Sequence, residues 1–360
     1  MLFEKYLRRR RKNVALALSS GGPRGFAYIG ALEELEARGY RVSSIAGTSA
    51  GALVGGVYAA GKLSEFKEWL FALDTWKVLS LMDISLSLNS FVKGDRIIEA
   101  IKEVVPDVKI EDLSIPFCAI ATDLYTGQEV LFENGNLFDA IRASISIPSM
   151  FRPVERGKQL LVDGHSSNCL PLNRVKRTKR DILVGFDAND IDVEMVHQKI
   201  ERVEQTNADY EALVTAKREE MRQLATAVKA DESKGVLGKI RALGSSGLAA
   251  WREVRTYREE YVDGLPELDW GDNMYGLMDR VFSIMNHHSS RVMAELCKPD
   301  ILVKMPLDTY DKISDYALAR DISELGRELM ARALDEWEGR VERETENGKR
   351  KTFFELRVES

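Results

Sequence analysis

Ser49 stands in Gly47-Thr48-Ser49-Ala50-Gly51, a Gly-x-Ser-x-Gly pattern between a short apolar run, Val42 to Ala46, and a small-residue stretch, Ala50 to Ala60. A serine at a tight strand-to-helix turn projects its hydroxyl from the sheet edge, close to the partial positive charge of the helix N-terminus. The residues two before and two after it must be small to avoid collision. That chemistry is nucleophilic. The same five residues would equally make a Gly-rich helix start capped by a serine, so the pattern gains meaning only from partners. One partner is Asp163, which ends the apolar run Leu160-Leu161-Val162 and precedes Gly164. An acid held at a sheet edge opposite Ser49 is placed to accept its proton through a direct hydrogen bond, although Asp-Gly is also a common turn.

The other partner is Ser20-Gly21-Gly22-Pro23-Arg24-Gly25. Consecutive glycines let backbone N–H groups point into a concavity, which a developing oxyanion needs. A phosphate could use the same cradle, making a nucleotide site the rival. Against it, no Lys-Ser/Thr follows as in a P-loop, Ser20 replaces the first glycine of a dinucleotide fingerprint, and Ser43 and Ser44 occupy the second strand. A plain tight turn is the third reading. The histidines are His165, His197, His287 and His288. A Ser–Asp–His triad in this chain order needs a late histidine in a loop, whereas His287 and His288 lie on Met278 to Leu296, which reads as helix.

The elements needed to position these residues are legible as periodicity. Val14 to Leu18 and Val42 to Ala46 read as buried strands, and Phe26 to Arg38 as a helix with Ile29, Leu32 and Leu35 on one face, stopped at Gly39. Ala50 to Ala60 is a small-residue helix. This rhythm predicts a mostly parallel sheet covered on both faces. Further helices are expected over Asp95 to Val105 and Leu137 to Ser144. Further strands are expected over Phe117 to Thr122, Glu129 to Phe132, Gln159 to Val162 and Asp181 to Gly185. From about Val193 to Tyr261 the composition predicts long helices broken near Gly235 to Gly238 and Gly244 to Gly247. Asp300 to Met305 returns as a strand, and Ser314 to Trp337 closes as a helix.

Composition sets the bounds. The 360 residues are 44% hydrophobic and 30% charged, which is globular, and the net charge of −6 gives no reason to expect nucleic-acid binding. Cys118, Cys169 and Cys297 are scattered without metal-ligand spacing, so disulfides are not expected. No stretch reaches the ~18 uninterrupted apolar residues of a bilayer span. A basic run, Lys5, Arg8, Arg9, Arg10, Arg11 and Lys12, precedes the first strand. It reads as a solvated arm or, with Leu2, Phe3, Tyr6 and Leu7, as an attraction to anionic lipid. The expectation is a cytoplasmic protein, with peripheral membrane contact as the further option.

Taken in order, these motifs resemble the patatin-like phospholipase family. The resemblance rests on the turn carrying Arg24-Gly25, on Gly47-Thr48-Ser49-Ala50-Gly51 and on Asp163-Gly164. Between them, Ala121-Thr122-Asp123, Thr126-Gly127, Ala140 to Pro148 and Phe151 to Val154 match the connecting sequence. It covers about Asn13 to Asp187. It implies a three-layer α/β/α fold with a mostly parallel central sheet and an inserted helical region. It implies a Ser–Asp dyad in which Ser49 is the nucleophile and Asp163 the base, flanked by Gly47 and Gly51 at the elbow. The oxyanion hole would draw on Gly21, Gly22, Arg24 and Gly25; Pro23 has no N–H to give. The reaction implied is hydrolysis of a carboxylic ester through an acyl-serine, on a phospholipid or lysophospholipid, with no metal or cofactor. A non-catalytic lipid-binding regulator on the same fold is the alternative. Two departures stand out: Ser20 replaces a family glycine, and His165 follows Asp163-Gly164 where Gly or Ala is usual. An imidazole there can tune the carboxylate, narrow the pocket or accompany loss of activity. The expected organisation is an arm over 1–12, a core over 13–190, a helical insertion over 191–285, a return of the core over 286–345 and a charged tail over 346–360. The insertion suits a lid, a lipid-docking surface or a dimerisation element.

Overall fold

The computed structural model describes residues 12–73, 77, 95–148, 150–233, 235–263, 274–310 and 313–358. The basic run from Lys5 to Arg11 lies outside the described residues; Lys12 is within them and sits over the Tyr40 ring. Residues up to Ile191 and from Phe282 onward form one compact unit, and Asp192–Val281 form another.

The first unit is built on an eight-stranded sheet in the order β5-β6-β3-β2-β1-β7-β8, with β4 also paired to β3. The strands are β1 (Asn13–Leu18), β2 (Arg41–Thr48), β3 (Phe117–Asp123), β4 (Glu129–Phe132), β5 (Val154–Arg156), β6 (Gln159–Asp163), β7 (Ile182–Asp190) and β8 (Ile301–Pro306). β1, β2, β3, β7 and β8 run parallel, while β4, β5 and β6 pair antiparallel at one side. The expected strands are all present. β2 runs two residues beyond its apolar stretch and β7 five residues beyond Gly185, because partners on both sides hold backbones that the side-chain pattern alone leaves undecided.

The helices of this unit are α1 (Ala27–Ala37), α2 (Ala50–Ala59), α3 (Leu63–Phe71), α4 (Asp95–Lys102) and α5 (Leu137–Ser144), with α9 (Ala319–Val358) closing the chain. Two cores on opposite faces of the sheet make the fold three-layered. Val14, Leu16 and Leu18 of β1 enter the larger one, with Ile29, Leu32 and Leu35 of α1. The alternate residues Ala15 and Ala17 enter the smaller one, with Leu170, Leu172 and Leu183. The period-2 alternation of a strand explains that division. α1 and α9 cross backbone to backbone: a Cβ on Gly30 would overlap the carbonyl of Ser323, and one on Gly326 that of Ala27. The closing helix extends to Val358, well past Trp337, after a 3-10 turn at Ile313–Leu318.

The second unit is helical. α6 (Val193–Ala230) and α7 (Val236–Tyr257) pack side by side through the stacked rings of Tyr210 and Tyr257 and the Lys217–Glu253 ion pair at 2.7 Å. The break falls at 231–235, as Gly235 suggests, but Gly244 and Gly247 stay helical, with Gly247 placed close to Met221. Contact with α6 at Gly247 offsets glycine's weak helix propensity there, whereas a Cβ on Gly244 would meet nothing within 4 Å. α8 (Met274–Cys297) has its residues to Val281 in this unit and those from Phe282 in the first.

Candidate active site

β1 lies between β2 and β7, so the chain winds outward from it in both directions, and the carboxyl ends of such central strands open into a crevice. The Gly-rich turn leaves β1 there and Ser49 leaves β2 there.

Register explains how Asp163 reaches the same place. β4 pairs with Ala119 to Thr122 of β3, overlapping the residues that pair with β2 (Phe117 to Ile120) and those that pair with β6 (Ala121 to Asp123). A strand has two edges, so β4 takes one, and β2 and β6 share the other end to end. Thr48 lies opposite Ile120, and Asp163 lies opposite the next residue, Ala121. The residue after Thr48 therefore faces Asp163. Ser49 Oγ donates to Asp163 Oδ2 at 2.6 Å, with both residues buried. The hydroxyl makes no helix-capping bond, which separates this serine from an ordinary helix start.

Ser49 has φ 55 and ψ −120, a left-handed conformation that strains a non-glycine residue by about 1–3 kcal/mol. The glycines around it permit the bend. A Cβ on Gly47 would strike the Gly51 backbone, and one on Gly51 would strike the carbonyls of Leu18 and Ser19. Hydrogen bonds hold the strained turn: Ser49 N–H donates to Ser144 Oγ at 2.8 Å, and that hydroxyl donates to Ile120 O at 2.6 Å. Thr48 Oγ1 donates to Asn168 O at 2.8 Å. Two residues beyond Ser144, Ser146 O accepts Asp163 N–H at 2.9 Å. One short segment at the end of α5 thus fixes both Ser49 and Asp163, a positioning role for Ser144 that no residue spacing announces.

The second carboxylate oxygen, Asp163 Oδ1, accepts His165 N–H at 2.9 Å and lies 3.0 Å from His165 Nδ1. Gly164 between them leaves room for the Ile120 carbonyl. His287 is engaged elsewhere: its Nδ1 accepts Ile191 N–H at 3.2 Å just past β7, and burial lowers its pKa.

Of the turn residues, Gly22 lines the cavity that Ser49 enters. The N–H groups of Gly21 and Gly22 take no partner among the described residues, whereas Arg24 N–H closes the turn on Gly21 O at 3.1 Å. The Arg24 guanidinium is buried and donates to the carbonyls of Ala188 (2.8 Å), Leu307 (3.2 Å) and Tyr310 (2.6 Å), tying the turn to β7 and to the segment after β8. Gly25 packs against Ala50 too closely for any side chain. Tyr316, which the sequence places in the closing helix without a role at the site, also lines the cavity. Burial, opposed by Arg24 and reinforced by Asp163, pushes its hydroxyl up to about 12, so it remains a donor at neutral pH. The cavity wall is apolar, with Leu53, Phe66, Leu70, Ile101, Ile145 and Phe151 on it.

Beneath the turn, Asn189 Nδ2 donates to Ser20 O at 2.7 Å and to Ser19 Oγ at 3.1 Å. Asp187 Oδ1 accepts Asn189 N–H at 3.0 Å. Burial pushes the Asp187 carboxyl up from 3.8 to about 6, opposed by the Asn189 hydrogen bonds and reinforced by Asp190. A raised folded-state value means that the unfolded chain releases this proton first. The contribution of Asp187 to stability is therefore greatest below pH 3.8, declines as pH rises to about 6, and stays low above that. Asp187→Asn is expected to raise the melting temperature at pH 7 and to flatten that decline, measured by thermal denaturation across the interval.

Known proteins supply the comparison. Residues 16–174 match the family model described as patatin-like phospholipase. An uncharacterized NTE family protein of Mycobacterium tuberculosis is 44% identical over 176 residues, covering 49% of this chain and 49% of that protein. The neuropathy target esterase of Drosophila melanogaster is 28% identical over 187 residues, 50% of this chain and 13% of its own. The chain spans about half the length of the mycobacterial relative or less of the others. Among solved structures, VipD from Legionella pneumophila aligns with a TM-score of 0.33 and 15% identity over 57% of this chain and 56% of its own.

Proposed function

We propose, from the match of residues 16–174 to the patatin-like phospholipase family model, that this chain hydrolyses lipid carboxylic esters through a Ser49–Asp163 dyad. The observation that carries the reading is the 2.6 Å hydrogen bond from Ser49 Oγ to Asp163 Oδ2 at the mouth of an apolar cavity. In this scheme Ser49 Oγ attacks the ester carbonyl carbon while Asp163 takes the hydroxyl proton. The tetrahedral oxyanion faces the N–H groups of Gly21 and Gly22 and the N-terminus of α2. The alcohol leaves with the proton from Asp163. Water, deprotonated by Asp163, then attacks the acyl-serine, and Asp163 returns that proton to Ser49 Oγ as the C–Oγ bond breaks and the fatty acid departs.

The walls favour an acyl group over a phosphate. Leu53, Phe66, Leu70 and Phe151 offer apolar contact, and Arg24, the one cation of the turn, directs its guanidinium to backbone carbonyls. Fluorophosphonate labelling of the folded protein tests the reading: the expected adduct maps to the peptide bearing Ser49. No adduct on folded protein would instead favour a non-catalytic acyl-binding role. A panel of phospholipids and lysophospholipids then assigns head group and chain length.

A further inference from the structure

α7 carries an exposed apolar stripe that its own unit does not cover. Leu237 (84% exposed), Ile240 (62%), Leu248 (73%) and Trp251 (59%) share an arc of about 80° with Gly244. The buried residues of the helix, Ala250 and Val254, lie on a neighbouring face. Beside the stripe stand Arg241 and Arg252, within about 40° of its edge, and neither side chain has an acidic partner among the described residues. α7 holds four cations, Lys239, Arg241, Arg252 and Arg255, against one acid, Glu253, and Lys217 of α6 neutralises that acid at 2.7 Å. Its neighbour α6 has six cations and seven acids. Positive charge is thus concentrated on the helix that exposes the apolar stripe.

The geometry points to α7 as a docking surface for an anionic phospholipid bilayer, with Leu237, Ile240, Leu248 and Trp251 entering the headgroup–acyl boundary. Arg241 and Arg252 lie over the lipid phosphates. A helix with leucine and tryptophan on one side and arginines beside them lies in the plane of such an interface. Arginine buries its stem and leaves its charge in the phosphate layer, and tryptophan prefers that depth. A second copy of the chain fits less well: two such helices pairing along their stripes would bring arginine against arginine, with no unpaired carboxylate on α7 to answer them.

The inference goes beyond hydrolysis and is tested without it, using the full chain carrying Ser49→Ala. Sedimentation with phosphatidylglycerol–phosphatidylcholine vesicles is expected, with binding weaker by about tenfold or more on phosphatidylcholine alone and weakened by salt. Leu237→Asp with Leu248→Asp is expected to reduce binding by about tenfold or more. Arg241→Glu with Arg252→Glu should remove the dependence on phosphatidylglycerol. These side chains are exposed, so circular dichroism and, on the Ser49 background, hydrolysis of a soluble p-nitrophenyl ester should be unchanged. Vesicle binding that is absent from the parent chain, or unaffected by both pairs of substitutions, would overturn the assignment. So would a dimer in sedimentation equilibrium that the leucine substitutions dissolve, which would give the stripe to a second copy.

Discussion

Ser49→Ala is expected to lower kcat/KM for a p-nitrophenyl ester by about 10⁴-fold or more, to the background set by binding alone. The size follows from what the substitution leaves. Ser49 N–H keeps its bond to Ser144 Oγ, Gly47 and Gly51 keep the bend, and the cavity walls are untouched. Only the oxygen 2.6 Å from Asp163 disappears. Substrate binding should persist, so the loss should appear in kcat with KM little changed, and fluorophosphonate labelling should vanish with it. The backbone strain at position 49 stays, because alanine keeps the Cβ, and the buried Asp163 Oδ2 loses its hydroxyl donor, so stability should hold or fall by about 1–2 kcal/mol. Hydrolysis at wild-type rates in this variant would remove the nucleophile from the proposal and leave the elbow as a structural turn.

Much of this site is legible in its residue types and their spacing. Gly47, Ser49 and Gly51 announce themselves because a strained bend tolerates only small neighbours, and Asp163 because an acid that ends an apolar strand is conspicuous. What sequence leaves hidden is anything set by register. Ser49 and Asp163 are 114 residues apart, and their contact depends on β2 and β6 sharing one edge of β3. No local pattern encodes that sharing. Ser144 and Ser146 were hidden for a related reason: their roles come from one hydroxyl and one carbonyl that happen to lie beside two other strands. Tyr316 comes from a 3-10 turn far down the chain, where a lone aromatic has no periodic signature. Arg24 shows the opposite failure. Its place in a Gly-rich turn suggested donation to substrate, yet its backbone N–H closes the turn and its guanidinium braces three carbonyls. The antiparallel strands β4 to β6 are short and half-exposed, so alternation locates them without giving their direction.

Asp163→Asn should separate proton transfer from positioning. The carboxamide has the shape of the carboxylate, its oxygen can still accept His165 N–H or Ser49 Oγ–H, and Ser146 O still holds the backbone of residue 163. It cannot take up the hydroxyl proton at neutral pH. A loss of about 10³–10⁴-fold in kcat with the fold intact is the expected result. A residual rate within about tenfold of wild type would mean that the helix N-terminus and the turn amides suffice to activate Ser49. His165→Ala makes the comparison decisive, because the imidazole lies 3.0 Å from the same carboxylate. That variant keeps the backbone N–H bond to Asp163 Oδ1 at 2.9 Å and removes the ring's contact with the carboxylate, so about a tenfold change is expected. If His165→Ala falls as far as Asp163→Asn, and His165→Gln restores the fold without the rate, the imidazole shares the proton and the dyad becomes a three-residue relay. If only Asp163→Asn falls, the carboxylate works alone, and the ring at position 165 serves to steady it.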